Sequence, residues 1–246
     1  MELVILTAIG VGGATVVGSL VGFLFKNISH RFSDAILSFA SGVMLAASIL
    51  SLIIPALEYG GNTGILQTVI GIFAGALTIS LLEGLIPHIH RIVANDSCGE
   101  RVDRVLLFVF AIALHNLPEG IAAGVGFGSG SVRDALMIAS GIALQNLPEG
   151  MVLISPMLAA GISRGKTLLI AILTGVIEVF GTFIGYFAIS ISHVFLPFAL
   201  AYAGGAMIYV IGDEMIPETH SDGNAPVATY SLIFGFCCML IMDYLL

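Results

Sequence analysis

The sequence predicts an all-α polytopic membrane protein with eight transmembrane helices, and three observations lead there. Of its 246 residues 58% are hydrophobic and only 10% charged, and the mean hydropathy is +1.07, too apolar for a soluble domain that must clothe its own surface. The apolar residues fall into eight runs, each near the roughly 20 residues that a helix needs to cross the hydrocarbon core. The connections between runs are short, so no soluble domain fits between them and residues 1–246 read as a single transmembrane domain.

The first run, Leu3 to Phe25, follows Met1 and Glu2 without the basic region or small-residue cleavage site of a signal peptide, and is expected to remain as a span. Ala35 to Leu57 forms the second. Ile65 to Pro87 forms the third, and beyond it lies the longest polar connection, about Arg91 to Arg101. The fourth, Val102 to Phe127, and the fifth, Ala135 to Ala160, each carry a polar phrase in mid-run. The sixth, Leu168 to Ser190, is interrupted by Glu178, which has no basic neighbour in its own span. Leu196 to Pro217 and Val227 to Leu246 complete the set. Glycines four residues apart, such as Gly18 and Gly22, Gly71 and Gly75, Gly120 and Gly124, and Gly181 and Gly185, are read as close helix packing in lipid and given no chemical role.

Orientation follows from the eight basic residues. Lys26 and Arg31 lie in the first loop, Arg91, Arg101 and Arg104 in or beside the third, and Arg164 and Lys166 in the fifth, which leaves Arg133 alone on the other side. The positive-inside rule then makes the odd loops cytoplasmic and both termini external. The net charge of −8 describes no acidic docking surface, because several carboxylates fall within or at the ends of apolar runs. Nucleic acid is not an expected partner; divalent cations and the lipid bilayer are, with a homodimer left open. Cys98, Cys237 and Cys238 make neither a disulfide framework nor a CxxC metal pair.

The chemistry is concentrated in the two polar phrases, His115-Asn116-Leu117-Pro118-Glu119-Gly120 and Gln145-Asn146-Leu147-Pro148-Glu149-Gly150, thirty positions apart. His115 and Glu119 are separated by four residues, as are Gln145 and Glu149, so each pair projects from one helix face, one turn apart. Pro118 and Pro148 cannot donate to the carbonyls of Leu114 and Leu144, so those oxygens are expected to be freed and each helix kinked beside its pair. An imidazole, a carboxamide oxygen and two carboxylates suit a borderline divalent ion such as Zn, Fe, Mn or Cd. Two carboxylates also neutralise one divalent cation, which favours the site in a low-dielectric interior.

A single buried Glu or His satisfied by backbone, and a proline kink in a span, are unremarkable on their own. Duplication in matching frames weighs against that reading, as does the lack of an intramembrane Lys or Arg to neutralise the acids. An intramembrane hydrolase is disfavoured by the lack of HExxH and of a nucleophile beside a base. A cation-selective channel stays open as an alternative to a carrier. No cofactor is expected; the metal is substrate.

The two phrases, Glu178 in the sixth run, and Gly212-Asp213-Glu214-Met215-Ile216-Pro217-Glu218-Thr219-His220 closing the seventh are together similar to the ZIP (Zrt-, Irt-like) family of divalent-metal transporters, nearest its bacterial GufA-like branch. The resemblance implies an eight-helix fold in the bacterial inner membrane, inverted repeats around helices four and five, and an elevator-like or rocking alternation of access. Carried onto this chain, it makes His115, Glu119, Gln145 and Glu149 transport-site ligands, with Asn116 and Glu178 bordering a second position. It adds Met44 as a soft ligand or gate. Ser51, Glu58 and Asp243 would line the outer entrance, and His88, His90, Asp213 and Glu214 the cytoplasmic exit. Close relatives with a two-metal centre have Asp where this chain has Asn146, which argues against a bridged second metal.

Overall fold

A chain in hydrocarbon must satisfy its backbone N–H and C=O groups internally, and each apolar run does so as one long helix. A computed structural model describes the backbone of residues 1–25, 29–93, 100–191, 193–221 and 223–245; the side chains of 85–93, 100–108, 111 and 193 lie outside the described residues, and His88 and His90 with them. The helices are α1 (Glu2–Gly22), α2 (His30–Tyr59), α3 (Gly64–Val93), α4 (Glu100–Val125), α5 (Val132–Ala159), α6 (Arg164–Ile191), α7 (Leu196–Ser221) and α8 (Ala225–Leu245). Among the described residues there is no strand, and seven of these helices, all but α4, are each long and apolar enough to cross a membrane.

The helical bonding pattern is irregular elsewhere than beside the two polar phrases. α4 and α5 run unbroken through Pro118 and Pro148. The irregular turns are instead π turns in α2, at Ser48–Ile53, and in α7, at Ile211–Met215. Each is followed two residues later by a proline, Pro55 or Pro217. A proline cannot donate to the carbonyl four residues back, so the carbonyls of Ser51 and Asp213 lose their ordinary helical partner, and a widened turn accommodates the mismatch.

Helix pairing divides the bundle in two. α1 packs on α5 and α6, and α4 on α6; separately, α2 packs on α8 and α3 on α7. The groups meet chiefly where α2 touches α5 and α4 touches α7. Glycine sets the closest approaches. A Cβ on Gly150 would lie 2.2 Å from the carbonyl oxygen of Thr15, and one on Gly120 2.2 Å from that of Glu178, so only glycine admits the facing backbone. Gly12, Gly18 and Gly22 of α1 recur as Gly175, Gly181 and Gly185 of α6, each 163 positions later. Gly12 and Gly175 face one another's carbonyls.

The polarity is inverted relative to a soluble protein. Phe73, Leu77 and Leu81 of α3 and Tyr230, Phe234 and Ile241 of α8 point outward, while Thr15, Ser19, Asn116, Glu119, Gln145, Asn146 and Glu178 are buried. A polar core inside an apolar surface is stable only if its groups find partners or a cargo.

Candidate metal centre

The four expected ligands sit where α4 and α5 come together with α1 and α6. Gln145 and Glu119 are completely buried, His115 is 7% exposed and Glu149 8%. The Gln145 amide donates to Glu119 Oε1 at 2.6 Å, which ties the two helical pairs directly. That bond leaves the other oxygens available: Glu119 Oε2 and Gln145 Oε1 are buried without a hydrogen-bond partner among the described residues. A cation would satisfy both, and neutral amide oxygen with carboxylate oxygen is a donor set that divalent transition ions accept.

His115 turns toward α7. Its Nε2 approaches Glu214 Oε2 at 2.9 Å, a close contact without the alignment of a good hydrogen bond. Glu83 of α3 joins them: one ligand atom each from Glu83, His115 and Glu214 lie within 4.8 Å of one another, a group able to hold a metal ion. His115 is therefore shared, one helical turn from Glu119 on one side and in reach of Glu214 on the other.

A cavity of about 390 Å³ reaches His115, Glu149 and Glu214. His115 and Glu149 line its inner end, with Asp213, Glu214, Pro217 and Glu218 of α7 and Leu37 of α2 along its walls. Leu37 lies near the start of α2 and Glu218 near the end of α7, so the cavity opens on the face that carries the α1–α2 and α7–α8 loops. On the opposite side a separate cavity of about 170 Å³ is lined by Ser51, Asp243, Arg133, Asp134 and Met137. Beside it the Tyr59 hydroxyl donates to Asp134 Oδ2 at 3.0 Å, joining the end of α2 to the start of α5.

Of the peripheral residues, Asp213 and Glu214 thus share a cavity with His115, and Ser51 and Asp243 share the other. Glu58 is exposed and outside that second lining. Met44 is 1% exposed within an apolar cluster, in neither lining, and its carbonyl accepts from the Ser48 hydroxyl at 2.7 Å.

Asn116 and Glu178, expected to border a second metal position, meet as hydrogen-bond partners. Glu178 Oε1 accepts from the Asn116 amide at 2.7 Å and from the Thr15 hydroxyl at 2.6 Å, and Oε2 accepts from the Asn146 amide at 2.5 Å. Asn146 donates a second bond to the carbonyl of Val11 at 3.3 Å.

Sequence reasoning passed over Glu83 and Thr15. Glu83 carried the signal that exposed Glu178, a carboxylate alone in an apolar run. Thr15 carried none, because a threonine in a Gly-rich helix is ordinary; only its place 163 positions before Glu178, the interval of the repeated glycines, distinguishes it.

Comparison with known proteins matches residues 93–243 to the family model described as ZIP zinc transporter. The chain is 36% identical over 239 residues to the zinc transporter GufA of Myxococcus xanthus, covering 94% of each protein. It is 38% identical over 237 residues to the zinc transporter ZIPB of Bordetella bronchiseptica, covering 94% of this chain and 77% of that one. With the zinc transporter ZupT of Chlorobaculum parvum it shares 32% identity over 250 residues, 94% of this chain and 92% of the relative.

Proposed function

Because the chain belongs to the ZIP zinc transporter family, we propose that it carries divalent transition-metal cations into the cytoplasm across a bacterial inner membrane, zinc first and iron, manganese or cadmium as further cargo. The observation that carries the reading is the buried Glu119–Gln145 pair with its two unpartnered oxygens, set beside His115 and Glu149 at the inner end of an acidic cavity. No Lys or Arg is buried among the described residues, so a cation or protons must balance these carboxylates.

His115, Glu119, Gln145 and Glu149 are the transport ligands, and Glu83, His115 and Glu214 form the next station toward the cytoplasm. Sharing His115 lets the ion exchange one ligand at a time rather than shed all of them at once. On the positive-inside reading the open cavity faces the cytoplasm, α4 is the eighth span, both termini are outside, and Ser51 and Asp243 line the closed outer entrance.

The recurrence of the α1 glycines in α6, together with the matching pairs α1–α5 and α6–α4, and α2–α8 and α7–α3, supports two three-helix repeats of opposite orientation flanking α4 and α5. α1, α4, α5 and α6 then move as the group that holds the metal, against a frame of α2, α3, α7 and α8, and access alternates. The described form is the inward-open one.

The test is uptake by purified protein in liposomes. Saturable, temperature-steep entry of Zn²⁺, inhibited by competing divalent ions and not by Mg²⁺, is expected. Single-channel currents would replace the carrier with a pore, and no metal flux would overturn the proposal.

A further inference from the structure

Two buried carboxylates in the same polar centre are treated differently by their surroundings. Glu119 has one oxygen bonded to Gln145 and one unpartnered among the described residues. Glu178 has both oxygens engaged, by an amide from α4, an amide from α5 and a hydroxyl from α1. A carboxylate offers about four acceptor positions, and three are filled. The donors also turn the positive ends of two amide dipoles toward Glu178, the arrangement that stabilises an anion and repels a metal. Drawing Glu178 to an ion would take from the Asn116 amide its acceptor and leave the Asn146 amide only the longer bond to the Val11 carbonyl, both side chains being 1% exposed.

The backbone is fixed at the same level. Gly120, directly after Glu119, lies against the backbone of Glu178; Gly150, directly after Glu149, lies against that of Thr15. Thr15 and Glu178 occupy equivalent places on α1 and α6, and they bond to each other between the two helical pairs.

We propose that Glu178 is a positioning residue and not a ligand of the transported metal: with Thr15 it ties α1, α4, α5 and α6 into one body and sets the spacing between the His115–Glu119 and Gln145–Glu149 pairs. The proposal rests on the reading of those four residues as the transport site. Asn116 and Asn146 act through the same tie, each held one residue from a ligand, and Thr15 becomes a determinant of metal affinity although no cation touches it.

The experiment uses the full chain in detergent, with calorimetric titration of Zn²⁺ and the ligand-field absorption spectrum of bound Co²⁺. Thr15→Val keeps the shape and removes the hydroxyl, so it is expected to weaken Zn²⁺ binding by roughly tenfold, the scale of one hydrogen bond to a charged group. Thr15→Ser, which keeps the hydroxyl and loses a methyl, is expected to restore affinity; a packing role would give the reverse order. Glu178→Gln is expected to weaken binding while leaving the number of bound metals and the Co²⁺ band positions unchanged. Loss of a metal equivalent or a shifted Co²⁺ spectrum in Glu178→Gln would overturn the proposal, as would unaltered affinity in Thr15→Val. If Glu178→Gln yields no folded protein, the order of the two Thr15 variants decides. The Glu119→Gln, Glu149→Gln double variant separates the premises: metal binding that survives in it refutes the transport site itself, whereas binding lost there together with ligand-like behaviour of Glu178 refutes only the tie.

Discussion

Removing one hydroxyl from Tyr59 should make the outer cavity easier to reach. The Tyr59 to Asp134 bond, 3.0 Å long, links α2 of the frame to α5 of the metal-holding group on the closed side. Under the proposed alternation of access it must break when that side opens, so there it favours the inward-open form alone. Tyr59 is 44% exposed, and water competes for both partners. The net contribution is that of an ordinary hydrogen bond, about 0.5–1.5 kcal/mol, so Tyr59→Phe should raise the outward-to-inward ratio by a factor of about 2–10. The assay is modification of a single cysteine at Met137, which lines the outer cavity and is 6% exposed, by an impermeant thiol reagent added outside cells. All native cysteines are replaced, and a cysteine at the partly exposed Ser131 corrects for reagent activity. Faster labelling at position 137 by that factor is expected. An unchanged or slower rate would refute the role of this bond in holding the outer side shut.

Three further outcomes follow from the same geometry. In Asn146→Asp a donor to Glu178 becomes a second carboxylate, so one tightly held central metal in the native chain should become two, counted by elemental analysis at saturating Zn²⁺; two central metals in the native chain would contradict the account. Ligating carboxylates and imidazole must be deprotonated, so Zn²⁺ binding should weaken as pH falls and release protons, visible as a dependence of the calorimetric heat on buffer ionisation enthalpy; no such dependence would sink the claim. Gly150→Ala places a Cβ 2.2 Å from the Thr15 carbonyl oxygen and should destabilise the bundle by about 1–3 kcal/mol in thermal unfolding, whereas Gly13→Ala, with nothing within 4 Å, should leave stability nearly unchanged.

The helices were legible because bilayer thickness imposes their length, and every apolar run became a helix, several of which extend past the run. α6, for instance, begins at Arg164 rather than Leu168. Polar residues at a span's end can continue its backbone bonding, and hydropathy does not register that. The π turns were not legible. Pro118 and Pro148 offered the same covalent reason for irregularity as Pro55 and Pro217, yet only the latter pair sits beside a widened turn, and the choice is made by tertiary packing. That His115 and Glu119 share one helix face, and Gln145 and Glu149 another, could be read from their four-residue spacing. That His115 turns to Glu214, and that Glu83 joins it, depends on α3 and α7 arriving beside α4, which no local pattern encodes.

The central claim is that metal crosses through the site held by Glu119 and Glu149. Initial rates of Zn²⁺ entry into liposomes containing the native chain or the Glu119→Gln, Glu149→Gln double variant, matched for folded protein by size exclusion and circular dichroism, test it most directly. The account predicts saturable uptake by the native chain and entry at the rate of protein-free liposomes for the double variant. Saturable uptake that persists in the double variant would place the pathway elsewhere.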